Sequence, residues 1–166
     1  QRSLMRIALC VALLLATTAT RAAGWAFTDK VVVAGNGQAG VFHHLDTGGR
    51  KSIAASGNVV ALVWEDNRSG QPQVYAAFRT TSASGFSGVS RLSSGKQAFE
   101  PAVTALGHGR FLFAWEQDGQ IWMRAATPSR LGAPVMTRVS GFSQASLAAL
   151  DGQAVVVFVR QTGKFS

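Results

Sequence analysis

Beyond its N-terminal segment the chain is a succession of short apolar runs punctuated by Gly, Asn, Asp and Ser. No long stretch places apolar residues at i, i+3, i+4 and i+7, so helices are not predicted. Runs of strand length, rich in Val, Phe and Ala and bounded by turn formers, predict β-strands instead. Residues 59–64 (VVALVW) are continuously apolar, as a strand covered on both faces must be. Residues 73–79 (QVYAAFR) alternate, with Gln73, Tyr75, Ala77 and Arg79 set against Val74, Ala76 and Phe78, as in a strand with one face toward water. The 18 glycines exceed the usual share of about 7% and concentrate in the punctuation. Gly35-Asn36-Gly37, Gly57-Asn58, Asp118-Gly119 and Asp151-Gly152 tolerate positive φ and predict tight hairpins.

The same pattern recurs three times. Residues 52–64 read SIAASGNVVALVW, residues 101–115 read PAVTALGHGRFLFAW, and residues 146–158 read SLAALDGQAVVVF. Each has a small or proline start, a short apolar strand, a Gly-containing turn, a longer apolar strand and an aromatic close. The second copy carries two extra residues, assigned to the turn around Gly107-His108-Gly109. The copies start 49 and 45 residues apart, at Ser52, Pro101 and Ser146. Trp-Glu closes the first two, at Trp64-Glu65 and Trp115-Glu116, and a third strand follows at 73–79 and 120–125. A fourth, edge-type strand is expected near 89–92 and 135–139. Four strands per unit at this period is the grammar of a propeller blade. A single blade cannot bury both faces, so several must stack in a ring.

The fold class expected is therefore all-β: a β-propeller of four-stranded antiparallel blades, incomplete in this chain at about two and a half blades. Leading strands occupy 23–48, the first blade 49–98, the second 99–142 and part of a third 143–166. Propellers need at least four blades. The expectation is a truncated reading frame, with a ring completed by several copies as the alternative.

The N-terminal segment reads differently. Residues 1–22 have the form of a secretory signal peptide: Arg2 and Arg6 in a basic region, the apolar run IALCVALLLA at 7–16, and small residues ending at Ala22. The run is about half the roughly 20 residues a membrane span requires, so no stable span is expected once the leader is removed. The implied location is secreted or periplasmic. The single cysteine, Cys10, leaves with the leader, which removes disulfides and cysteine-bound metals from the mature part. Removing Arg2, Arg6 and Arg21 from the 16 basic residues leaves 13 against 8 acidic, a net +5 rather than +8. These charges are scattered, without the basic stripe that nucleic-acid binding requires.

Residues 50–68, RKSIAASGNVVALVWEDNR, resemble the opening of the sialidase-like propellers with Asp-box (BNR-type) repeats. Arg50-Lys51-Ser52 falls where that family begins a blade with Arg-Ile-Pro, and Asp66-Asn67-Arg68 where an acidic residue and a second arginine close it. The resemblance spans roughly residues 40–160. It implies a sialidase-like propeller, with Arg50 and Arg68 as two of the arginines that grip a substrate carboxylate and Asp66 beside them. Departures accompany it. The stretch expected to hold an acid/base aspartate, SGQPQV at 69–74, contains no carboxylate, and the only tyrosine, Tyr75, lies in a predicted strand without a supporting motif. The Asp-box position, residues 80–93, lacks both Asp and Trp.

Other constellations reduce to ordinary roles. His43 and His44 are adjacent in a predicted strand and point to opposite faces, so they do not make a metal site. Gly35, Gly37 and Gly40 lack the Lys-Ser/Thr of a phosphate loop. No Gly-x-Ser-x-Gly nucleophile motif is present. Trp64 and Trp115 repeat at blade period and read as packing residues. Glu65, Asp66 and Arg68 read as a locally ordered turn or, should they face the channel, as a ligand site with Arg50. No catalytic residue, cofactor or metal is assigned. The leading functional expectation is an exported recognition module binding a glycan or protein partner through loops at one end. The alternatives are a sialidase-type hydrolase using Arg50 and Arg68, and a structural envelope scaffold.

Overall fold

The punctuation closes hairpins where its residues accept positive φ. His108-Gly109, Asp118-Gly119 and Asp151-Gly152 all have φ between 51° and 77° at both turn positions, the signature of type I′ turns whose twist matches the strands they join. Gly57 takes φ 60° ahead of Asn58. The computed structural model of the chain describes residues 33, 39–44, 50–138 and 140–160. The leader expected at 1–22, most of the leading segment 23–48 and the Gly35-Asn36-Gly37 hairpin lie outside the described residues.

The protein is all-β. Among the described residues the regular elements are strands paired antiparallel, and there is no helix. The first sheet contains β1 (His43–His44), β2 (Ile53–Ser56), β3 (Val59–Asp66), β4 (Gln73–Thr80) and β5 (Ser90–Arg91), in the order β1-β3-β4-β5. β2 shares an edge of β3 with β1: Ile53 pairs with Leu62, while His43 pairs with Asp66. The second sheet contains β6 (Ala98–Gly107), β7 (Arg110–Gln117), β8 (Gln120–Thr127), β9 (Arg130–Leu131) and β10 (Val135–Met136), with β10-β8-β7-β6 in order and β9 also on β8. β11 (Phe142–Leu150) and β12 (Gln153–Arg160) form a two-stranded third sheet. β5 and β10 are the short edge strands expected from the sequence. β9 was not expected.

The register corrects the alignment of the second repeat. Val63 N–H donates to Ser52 O at 2.9 Å, while Ala102 pairs with Ala114 and Ser146 with Val157. The counterpart of Ser52 is thus Ala102 rather than Pro101, and one extra residue, not two, must be accommodated. It is absorbed as a register shift between Ala105 and Gly107, ahead of a two-residue turn. A bulge takes up an inserted residue without breaking the hairpin.

Side-chain alternation explains how the sheets stack. Val59, Ala61 and Val63 of β3 and Val74, Ala76 and Phe78 of β4 point to one face and pack on Val103, Phe111, Phe113 and Trp115. Phe78 meets Phe111 and Phe113 at ring distances of 5.8 and 6.1 Å, the latter edge to face, pairings that each contribute about 1 kcal/mol beyond area burial. The opposite face of the second sheet, with Ala102, Ala114 and Ile121, packs on Ala145 and Leu147 of the third. Polar stitches reinforce the first of these joints. Val103 N–H donates to Lys51 O and Ala98 N–H to Pro72 O, each at 2.9 Å. The Arg124 guanidinium spans the same gap, its Nη1 donating to Leu92 O at 2.9 Å and its Nε to Gly132 O at 2.7 Å.

The third sheet's other face is uncovered among the described residues. Val155, Val157 and Val159 of β12 are exposed there, Val157 by 64%.

Candidate functional site

Two polar clusters form where β3 ends, and alternation places them on opposite faces of the strand. Asp66 lies on the face of Trp64. It is fully buried, yet a carboxylate there is met by a complete set of donors. Trp64 Nε1 donates to Oδ2 at 2.8 Å. Arg68 donates its backbone N–H to Oδ1 at 3.0 Å and its Nε to Oδ1 and Oδ2 at 2.9 and 2.8 Å, and its Nη2 closes the ion pair at 2.5 Å. Burial alone raises the carboxyl pKa, but the bonds from Arg68 and Trp64, with the charge of Arg68, outweigh it and hold Asp66 below its ordinary value.

The guanidinium of Arg68 lies over two rings, 4.7 Å from the centre of Tyr75 and 5.7 Å from that of Trp64. Trp64 and Tyr75 are cross-strand partners with centroids 6.3 Å apart and planes 25° from parallel. The arginine side chain remains 30% exposed. The sequence WEDNR therefore folds into a closed local unit: indole below, carboxylate at the centre, guanidinium above.

The second cluster carries Arg50. Its guanidinium forms an ion pair with Glu100, and only 9% of the Arg50 side chain is exposed. Glu100 sits at a register shift in β6 with φ 55°. Its backbone N–H donates to Glu65 Oε2 at 3.4 Å. Asp66 and Arg68 are thus brought together as expected, whereas Arg50 is engaged by the second sheet. Glu100 was missed from the sequence, because nothing local marks a glutamate that will occupy a positive-φ bulge.

The second repeat retains part of this design. Trp115 Nε1 donates to Gln117 Oε1 at 3.2 Å, and the same oxygen accepts Ser94 N–H at 3.2 Å. Gln117 takes the place of Asp66, and no arginine follows. Both indoles are buried, as the packing reading expected.

His43 and His44 form β1 beside Glu65 and Asp66. Among the described residues no group of three or more His, Cys, Asp or Glu side chains is placed to hold a metal ion. No helix among them is long and apolar enough to cross a membrane. No protein-family model, curated protein or solved structure matches the chain.

Proposed function

We propose that the sheets of this chain are blades of an exported, sialidase-like β-propeller that acts as a recognition module, gripping a glycan or protein partner with loops at one end of its sheets. The observation that carries this reading is the repeated stacking of meander sheets through the same positions. Val63 of the first sheet and Ala114 of the second are register equivalents, and each faces the next sheet in the chain. Sheets joined this way leave their connections at two ends, and those connections are free to vary while the strands are fixed by packing. One end carries residues 67–72, 92–97, 118–119, 137–138 and 140–141. The other carries 57–58, 81–89, 108–109 and 151–152.

Recognition is favoured over hydrolysis by the state of the two arginines. A sialidase-type site needs them to grip an acidic sugar, and here Asp66 and Glu100 already meet Arg68 and Arg50.

The test is capture of ligands from an array of glycans and envelope proteins by the full chain. It compares the parent with Gly-Ser replacements at 69–71 and, as a control, at 82–84. Capture lost with the first replacement and kept with the second supports the reading. The reverse result supports it with the site at the other end, whereas equal loss with both replacements or no capture by the parent overturns it.

A further inference from the structure

At the end carrying residues 67–72 and 92–97, the first sheet opens into a cleft of about 430 Å³. Ser69, Gln71, Gln73, Arg91, Lys96 and Gln97 line it. The frame is fixed by side-chain amides. Gln73 is buried and forms the floor: its Nε2 donates to Lys96 O at 3.0 Å, and its Oε1 accepts the Ser93 hydroxyl at 2.6 Å. Ser93 Oγ in turn accepts Val74 N–H at 2.9 Å, which ties the 92–97 connection to β4. Across the rim, Gln97 Nε2 donates to Gln71 Oε1 at 3.0 Å and joins the two connections.

Two cations stand on this frame. Arg91 Nε donates to Ser93 O at 3.0 Å, which orients the guanidinium and leaves its terminal nitrogens without a bonded partner among the described residues. The Lys96 ammonium likewise has no ion pair there. No carboxylate lines the cleft. Asp118 stands at the edge, behind the lining Gly95, where it accepts from Gln117 Nε2 at 3.3 Å. Two cations against one edge carboxylate leave the cleft positive, and positive charge in a concave site attracts an anion. The glutamine amides each offer a donor and an acceptor, the complement of a peptide group. No aromatic ring lines the cleft to stack on the apolar face of a sugar.

We infer that this cleft binds a short acidic segment of a protein partner, its carboxylates held by Arg91 and Lys96 and its backbone by Gln71 and Gln97. The inference rests on the recognition reading and names the partner that reading leaves open.

The experiment is fluorescence anisotropy on the full chain with a labelled octapeptide of alternating glutamate and glycine. A serine–glycine octapeptide and an oligogalacturonate of equal charge serve as comparisons. The acidic peptide binds, and binding weakens as salt rises. Arg91→Gln with Lys96→Gln reduces affinity by about tenfold or more. Both side chains are exposed, so the pair keeps the parent's thermal midpoint. Arg110→Gln with Arg130→Gln removes the same charge at the opposite end and leaves affinity unchanged. Equal loss in both pairs, no binding by the parent, or equally tight oligogalacturonate overturns the proposal. Array capture that depends on residues 69–71 while ignoring Arg91 and Lys96 sinks the cleft alone, whereas absence of any capture sinks the recognition reading itself.

Discussion

Glu116 accepts the backbone N–H of Gln144 at 2.5 Å, as Glu65 accepts that of Glu100 one repeat earlier. Gln144 and Glu100 both have φ 55°, each within a register shift of the strand that opens its sheet. The glutamate of each Trp-Glu pair therefore holds the bulge of the following sheet. A non-glycine residue in the left-handed region stores strain, and a charge-assisted bond offsets part of it. This explains why Trp-Glu, and not Trp alone, recurs. In the third repeat Val159 occupies the equivalent place, so this tie ends with the second sheet.

Removing the tie should loosen the joint between sheets. Glu65→Ala takes the acceptor from Glu100 N–H in a partly buried setting, at a cost of about 1–3 kcal/mol. Glu116→Ala acts at a more exposed site, at the lower end of that range. Urea midpoints for both variants check this. Equal midpoints for Glu65→Ala and the parent would remove the proposed role.

Asp66 gives stability a defined dependence on pH. Its native pKa lies below the ordinary 3.8, so the folded state binds the proton less readily than the unfolded one. The contribution is fully present above 3.8 and is lost as pH falls through the native value. Asp66→Asn, which leaves Arg68 without its anionic partner, should cost about 2 kcal/mol near neutrality. The gap to the parent should narrow as pH falls well below 3.8. Denaturant melts across that range check it, and a gap independent of pH would exclude Asp66 as the titrating group.

The bare face of β12 should govern solubility. Val157→Lys places a charge on a surface already exposed by 64%, so stability should change by less than about 0.5 kcal/mol. Self-association should fall, because exposed apolar patches and unpaired edges drive it. Val63→Lys puts the same charge at a fully buried position of the first sheet, where desolvation costs several kcal/mol. Sedimentation and melting of the two variants distinguish the faces.

Gly132 should resist even one methyl group. A Cβ there would stand 2.9 Å from Ala125 O, a backbone atom that cannot swing aside. Gly132 N–H also donates to that oxygen at 2.8 Å. Gly132→Ala should lower stability by about 1–3 kcal/mol, read as a drop in thermal midpoint.

Much of the fold was legible because strand periodicity is local. The continuous run at 59–64 marked a strand packed on both faces, and it lies between Trp64's cluster on one side and the second sheet on the other. Asp118-Gly119 and Asp151-Gly152 marked their turns, since few residue pairs accept positive φ in succession. The pairing of Asp66 with Arg68 was also legible, being two residues apart at a strand end. The cleft was not. Gln73 and Lys96, or Gln71 and Gln97, are more than twenty residues apart, and amide side chains carry no pattern that announces a partner.

By itself, then, the sequence determined the all-β class, the repeat and which residues share a strand face, because these are read from alternation within short segments and its recurrence. It misjudged the cover of 73–79, whose expected water face is buried, with Gln73, Tyr75 and Ala77 only 1%, 5% and 0% exposed. The tertiary structure alone decided that Arg50 answers Glu100 rather than Arg68, that Ala102 and not Pro101 matches Ser52, and that Arg91 and Lys96 share a cleft. Those outcomes depend on which face of one sheet meets the next, and a bulge of one residue is enough to change them.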